Sequence, residues 1–253
     1  MGRPGRTPPP VPGTTPPIRT IFPYVAPTLE PRSPMRGSKM PHRFPKVARW
    51  TARLVFALLC AAVAAYAFTV LYGQPHADNP LQMKFAASGL DVPAHLFGGG
   101  LALLLAPLQM SGWVQRHLPR LHRLSGGLYA GGVLVAGLGG LSLALHAEGG
   151  APTGIAFGLL ALAWLATTGL GIGHALAGNL ARHRQWMWRS IALTASAVTF
   201  RLILGIGLGV LHLPFPPVYL AAAWGCWVFN LALCELVLRW PRRPPATALS
   251  AAR

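Results

Sequence analysis

Of 253 residues only 11% are charged and 53% are hydrophobic, against about a quarter charged in ordinary soluble domains, which excludes a water-soluble globular protein and places the apolar mass in lipid. The net charge of +17, from 22 Lys and Arg against 5 Asp and Glu, flanks the apolar stretches instead of covering a folded surface. It therefore reads as membrane topology with affinity for anionic lipids at the cytoplasmic face, and excludes a nucleic-acid partner.

Residues 1–45 carry Pro8-Pro9-Pro10, Pro16-Pro17 and basic residues opposed only by Glu30, the composition of a disordered tail. Met35 and Met40, just ahead of the organised part, are alternative translation starts. The first thirty residues contain no apolar signal region, so the first span is expected to direct insertion itself. Six apolar stretches follow, near 51–72, 93–112, 124–146, 154–176, 190–211 and 217–238, each long enough for a hydrocarbon core of about 30 Å. They make residues 50–240 a six-span domain, with a short basic cytoplasmic tail over 241–253. Lys46, Arg49 and Arg53, then Arg116, Arg120 and Arg123, then Arg182, Arg184 and Arg189, and finally Arg239, Arg242 and Arg243 mark alternate connections. By the positive-inside rule those ends are cytoplasmic. The other connections hold Asp78, Asp91 and Glu148 with Lys84 alone opposing them, so both termini are expected inside. Small-residue runs such as Gly98-Gly99-Gly100, Gly131-Gly132 and Gly139-Gly140 predict close helix crossings, because no hydrophobic effect drives association within lipid. Pro214, Pro216 and Pro217 predict a short turn that makes the fifth and sixth spans antiparallel neighbours.

The segment from Arg182 through His183, Arg184, Gln185, Trp186, Met187 and Trp188 to Arg189 is a basic and aromatic collar at the entrance to the fifth span, suited to headgroups. Arg201 lies eleven residues into that span, about 16 Å deep at 1.5 Å per residue. Asn230 and Glu235 on the sixth span lie about 13 and 5 Å from its inner end. Polar and ionisable groups inside a membrane are costly and point to function. The plainest expectation is that Arg201 clamps the sixth span through Asn230 or Glu235. Cys60, Cys226 and Cys234 fall inside apolar segments without CxxC or zinc-type spacing, which leaves them as small core residues and gives no metal site.

The histidines form two tiers, His76, His95, His146 and His212 toward the outside and His117, His122, His174 and His183 toward the inside. Imidazoles from two helices of one bundle are the ligand set of b-type haem. His122 and His146 are 24 residues apart and His183 and His212 are 29 apart, about 36 and 43 Å along a helix, so a two-haem bundle with both ligands of each helix inside hydrocarbon does not fit. A single inner site from His122 and His183, or an outer one from His95 with His146 or His212, does. The third and fifth spans both open on His-Arg and close on a histidine, an echo that would suit a duplicated hairpin. No nucleotide loop, HExxH, Ser-His-Asp order or carboxylate pair occurs.

His95 with Gly99, Leu121-His122-Arg123 with Gly126 and Tyr129, the collar with Ala192-Leu193-Thr194 and Arg201, and Trp224, Trp227, Asn230 and Glu235 resemble the bacterial membrane-protein family called domain of unknown function 2306. The His-Arg-x-Trp-Met segment is the most specific part of the likeness. The resemblance implies a multi-span fold without an established activity, and a characteristic polar set of His95, His122, His183, Arg189, Arg201, Asn230 and Glu235. Gly127 stands where the family usually has arginine, and Phe229 where it usually has proline.

The expected protein is thus all-α, a polytopic six-helix bundle of the bacterial cytoplasmic (inner) membrane, N-in and C-in. Its expected activity is redox chemistry with a b-type haem or a quinone. His122 and His183 are the inner ligands, His95 the outer candidate, and His146 and His212 further outer ones. The alternative is a small transporter or non-catalytic membrane subunit, with a polar site of Arg189, Arg201, Asn230 and Glu235.

Overall fold

A computed structural model of the chain describes residues 46–74 and 89–240, together with Gly2. The expected tails over 1–45 and 241–253, and His76, Asp78 and Lys84, lie outside the described residues, Gly2 aside. Among the described residues the regular elements are helices and no strand occurs. They are α1 (Lys46–Tyr72), α2 (Asp91–Gln109), α3 (Gly112–His117), α4 (Pro119–Ala144), α5 (Ala151–Leu176), α6 (Leu180–Thr194), α7 (Ser196–Leu204), a π-helical turn (Gly205–Val210) and α8 (Phe215–Arg239). The segments from α6 to the π turn run on as one span, so among the described residues six helices are long and apolar enough to cross a membrane.

The fifth span starts about ten residues before its apolar stretch. Asn179 caps it, its side chain accepting from the Arg182 N–H at 3.2 Å, and nothing from Arg182 to Arg189 breaks a helix. The collar is therefore a helical face, on the same rod that carries Arg201. Gly178, with φ of +72°, supplies the left-handed turn that ends α5 and sends α6 back along it. The second span instead ends early: Ser111 accepts from the Val114 N–H at 3.4 Å and starts the separate α3. Prolines sit in the first turns of α4, α5 and α8, where an N–H would lack a helical partner in any case.

Consecutive spans pack antiparallel. Phe68 meets Phe97 and Cys60 shares a cluster with Leu103; Asp91 meets Ser142 and Gln109 meets Ser125; Trp164 meets Thr194 and Gly171 meets His183; Arg189 meets Glu235 and Thr199 meets Asn230. This alternation gathers Arg49, Arg53, Arg116, Arg120, Arg123, Arg182, Arg184, Arg189 and Arg239 at one end of the bundle, the basic end. The fifth span is the hub, packing on the first, second, fourth and sixth.

The interior is made of small residues, such as Cys60, Ala64, Ala102, Ala106, Ala136, Ala222 and Cys226. Leu58, Leu104, Leu134, Leu162, Leu202 and Leu236 point outward. A soluble bundle has the reverse arrangement, whereas lipid accepts leucine outside and lets small residues bring backbones together. One close approach is between α2 and α4: a Cβ added at Gly98 would lie 2.5 Å from the Gly132 carbonyl oxygen. Cys60 and Cys226 are buried as expected and Cys234 is partly so.

Candidate functional site along the fifth span

At the basic end, α6 lies on α5 because Gly171 has no side chain. A Cβ there would come within 2.6 Å of Met187 Sδ. The same approach lets His183 Nδ1 donate to the Gly171 carbonyl at 2.8 Å. A ring nitrogen facing a carbonyl carries the hydrogen, which fixes the tautomer and leaves Nε2 for another partner. His122, in the first turn of α4, is near enough to His183 to interact with it electrostatically. Its Nδ1 is buried without a hydrogen-bond partner. Next to it Gln109 donates to Ser125 Oγ at 2.7 Å and to the His122 carbonyl at 3.3 Å. Among the described residues no three His, Cys, Asp or Glu side chains converge as a metal-binding group. The two imidazoles belong to the third and fifth spans, and with its hydrogen on Nδ1 the neutral His183 ring keeps a lone pair at Nε2.

About two turns deeper lies a fully enclosed ring of hydroxyls. Tyr129 has no exposure, and its Oη meets Ser190 Oγ at 2.8 Å and Thr194 Oγ1 at 2.7 Å. Thr168 Oγ1 meets Ser190 Oγ at 2.7 Å, and the Trp164 indole N–H donates to Thr194 Oγ1 at 3.0 Å. The hydrogens can run from Trp164 through Thr194, Tyr129, Ser190 and Thr168 to the Trp164 carbonyl, which Thr168 reaches at 2.8 Å. They can equally run from Thr168 back to the Ser190 carbonyl, 3.0 Å from Thr194 Oγ1. Both orders satisfy every buried hydroxyl, so three spans are joined without an orphaned group.

The charged residues are paired differently from expectation. Glu235 takes Arg189, with Nε donating to Oε1 at 2.5 Å and Nη2 to Oε2 at 3.2 Å. Arg239 adds a second, exposed bond at 3.1 Å, and the Arg189 guanidinium also lies 4.7 Å from the centre of the Trp186 ring. Asn230 belongs to Thr199, which donates to its Oδ1 at 3.0 Å, and to the Ala192 carbonyl, reached by its Nδ2 at 3.2 Å. Arg201 therefore does not clamp the sixth span. The fifth span presents Thr199 to α8, and two positions on, about 200° round the helix, Arg201 faces α1. Its Nη1 donates to the Ala197 carbonyl at 3.1 Å and its guanidinium lies 5.2 Å from the Tyr66 ring centre.

The outer candidates lie on α2, beyond the end of α4 and beyond the π turn. His95 Nδ1 donates to the Ala136 carbonyl at 2.9 Å, tucked beside Gly140, and the ring interacts electrostatically with Arg201. His146 lies beyond the end of α4. His212 lies beyond the π turn, exposed, with φ of +49°. There it ends the span: the Leu213 N–H reaches the Gly207 carbonyl at 2.9 Å across this left-handed residue. The sequence offered a sign of the hydroxyl ring that the residue-by-residue reading passed over. Trp164 with Thr168 and Ser190 with Thr194 are polar pairs at helical spacing inside apolar windows. Tyr66 carries no such sign, being one aromatic residue on an apolar helix.

No curated protein and no solved structure matches the chain. A family model described as predicted membrane protein (DUF2306) matches residues 92–238, which takes in His95, the hydroxyl ring, the Arg189–Glu235 pair and Arg201, and the chain belongs to that family.

Proposed function

We propose that this multi-pass membrane protein resides in the bacterial cytoplasmic membrane with its basic end and both termini inside, and performs redox chemistry with a b-type haem or a quinone held between α4 and α6. The observation that carries the reading is the buried, unpartnered His122 Nδ1 beside a His183 whose ring is already fixed by the Gly171 carbonyl. A buried polar nitrogen without a partner costs about 1–3 kcal/mol, and a ligand at this place removes that cost. Either group would supply one-electron chemistry when bound. The chain's own part is to hold the two imidazoles in place, with Gln109 and Ser125 bracing the first turns of α4. Arg182, Arg184 and Trp188 at the same end suit anionic headgroups.

The test is a dithionite-reduced minus oxidised absorption spectrum of protein purified in mild detergent from haem-supplied cells, with a solvent extract of the same sample analysed for quinone. The expected result is the sharp band pair of b-type haem, lost in His122→Ala and in His183→Ala, or a quinone retained by the wild type and lost from the same variants. A flat spectrum together with a quinone-free extract, from intact monodisperse protein, would overturn the reading.

A further inference from the structure

We infer that Arg201, backed by Tyr66, is a binding site for a single carboxylate, reached from the lipid-facing side between α1 and α7. The inference is independent of the redox reading, because it uses different side chains on a different face of the fifth span.

The first ground is charge. A guanidinium keeps its positive charge in a protein, and an uncompensated one within hydrocarbon is costly. Arg201 sits about 18 Å along the helix from Arg189, twelve residues at 1.5 Å each, which puts it near mid-span. What the protein gives it is one helical carbonyl and one aromatic face, and neither carries a negative charge. Among the described residues no carboxylate pairs with it. His95, the other ionisable group that interacts with it, brings no negative charge either.

The second ground is geometry, and the molecule supplies its own standard. Arg189 binds Glu235 with the Nε and Nη2 edge of its fork, one bond to each carboxylate oxygen. In Arg201 the bond to Ala197 uses Nη1, on the opposite edge. The Nε and Nη2 edge has no partner among the described residues, and neither atom is sealed inside the protein. That edge matches a carboxylate in a two-point contact. Tyr66 is 50% exposed on an apolar helix whose neighbouring residues Ala62, Ala65 and Thr69 also face outward, so the approach opens sideways toward lipid. The chemistry that fits is one carboxylate, from an amphiphile within the bilayer or from a small soluble acid.

The experiment uses the full-length wild-type protein in phosphatidylcholine nanodiscs, treated with phenylglyoxal, with each arginine adduct followed by mass spectrometry. The probes are oleate in the bilayer and acetate in the buffer. Arg201 is expected to react without a carboxylate present, and to react about tenfold more slowly at ten times the probe's Kd, by simple occupancy. Arg182 and Arg184 in the same sample should react equally with and without the probe, which separates binding from general screening. Protection by oleate alone identifies a membrane amphiphile, and protection by acetate as well identifies a soluble acid. An Arg201 that reacts at the same rate with either probe, or that never reacts, would overturn the inference.

Discussion

Arg189 and Arg201 stand twelve residues apart on one helix and are held in opposite ways. Arg189 has a bidentate carboxylate, a second cation sharing that carboxylate and a tryptophan face. Arg201 has a carbonyl and a tyrosine face. The difference shows what each is for. A pair with both partners supplied by the fold locks the fifth span to the sixth: removing Glu235 leaves Arg189 without a carboxylate, and removing Arg189 leaves Glu235 only the exposed Arg239. A cation left with one edge of its fork free contributes little to holding the helices, and its cost is recovered only if something else binds. Between them the hydroxyl ring ties the third, fourth and fifth spans together without any charge at all.

The sharpest way to break the paired half is Glu235→Ala. Arg189 and Glu235 are 19% and 24% exposed at the side chain, so the loss falls short of that for a fully buried pair, and about 2–3 kcal/mol is expected. The unfolding midpoint in detergent should fall clearly, and Arg189→Met in the same background should restore part of it, because the isolated charge is then gone. An unchanged midpoint in Glu235→Ala would reduce this pair to an ordinary surface contact.

Next in size is the uncharged stretch. Tyr129→Phe removes one hydroxyl from the ring, but Ser190 keeps Thr168 and Thr194 keeps Trp164 and the Ser190 carbonyl. Hydrogen bonds between membrane helices average below 1 kcal/mol, and the phenol here serves two partners, so about 1–2 kcal/mol is expected. Equilibrium unfolding of the two proteins side by side measures it. A loss as large as that of Glu235→Ala would mean that the ring, and not the ion pair, fixes the fifth span.

His212→Gly tests the far end of the same rod and should act in the opposite direction. A non-glycine residue at φ of +49° carries a steric cost of about 1 kcal/mol, which glycine avoids. The midpoint should rise by a degree or more for each few tenths of that gain realised, and a fall would show that the imidazole has a bonding role there.

The sequence reading reached the parts of this molecule that depend on composition along the chain. Apolar length, basic flanks and small-residue spacing predicted six spans, the antiparallel fifth and sixth, and close helix crossings without saying between which spans, since each follows from the local chemistry of a lipid-embedded helix. The partners of Arg201 were not legible. Depth along a helix can be counted from residue numbers, but the side of the helix a residue faces depends on how six rods are rotated about their axes. A shift of two residues, from Thr199 to Arg201, moves a side chain from the sixth span to the first. Glu235 was placed at the right end and given the wrong arginine for the same reason. His122 and His183 were placed at the same end of the bundle, because both lie about a turn from the start of a helix there, where rotation matters less than height.

The smallest expected effect is the most informative about the comparison. Arg201→Met keeps an unbranched chain of similar length, keeps a contact to the Tyr66 ring through sulfur and removes a charge that has no counterion among the described residues. If Arg201 were a structural clamp, the variant would lose as much as Arg189→Met does. With one edge of its fork free, it should instead unfold within about 1 kcal/mol of the wild type, in either direction, because the lost cation–π contact and the removed desolvation cost are of similar size. Paired measurements of Arg189→Met and Arg201→Met in the same detergent therefore separate a residue kept for stability from one kept for what it binds. Equal losses in the two variants would return Arg201 to the framework of the bundle and leave the histidine pair at the basic end as the place to look for chemistry.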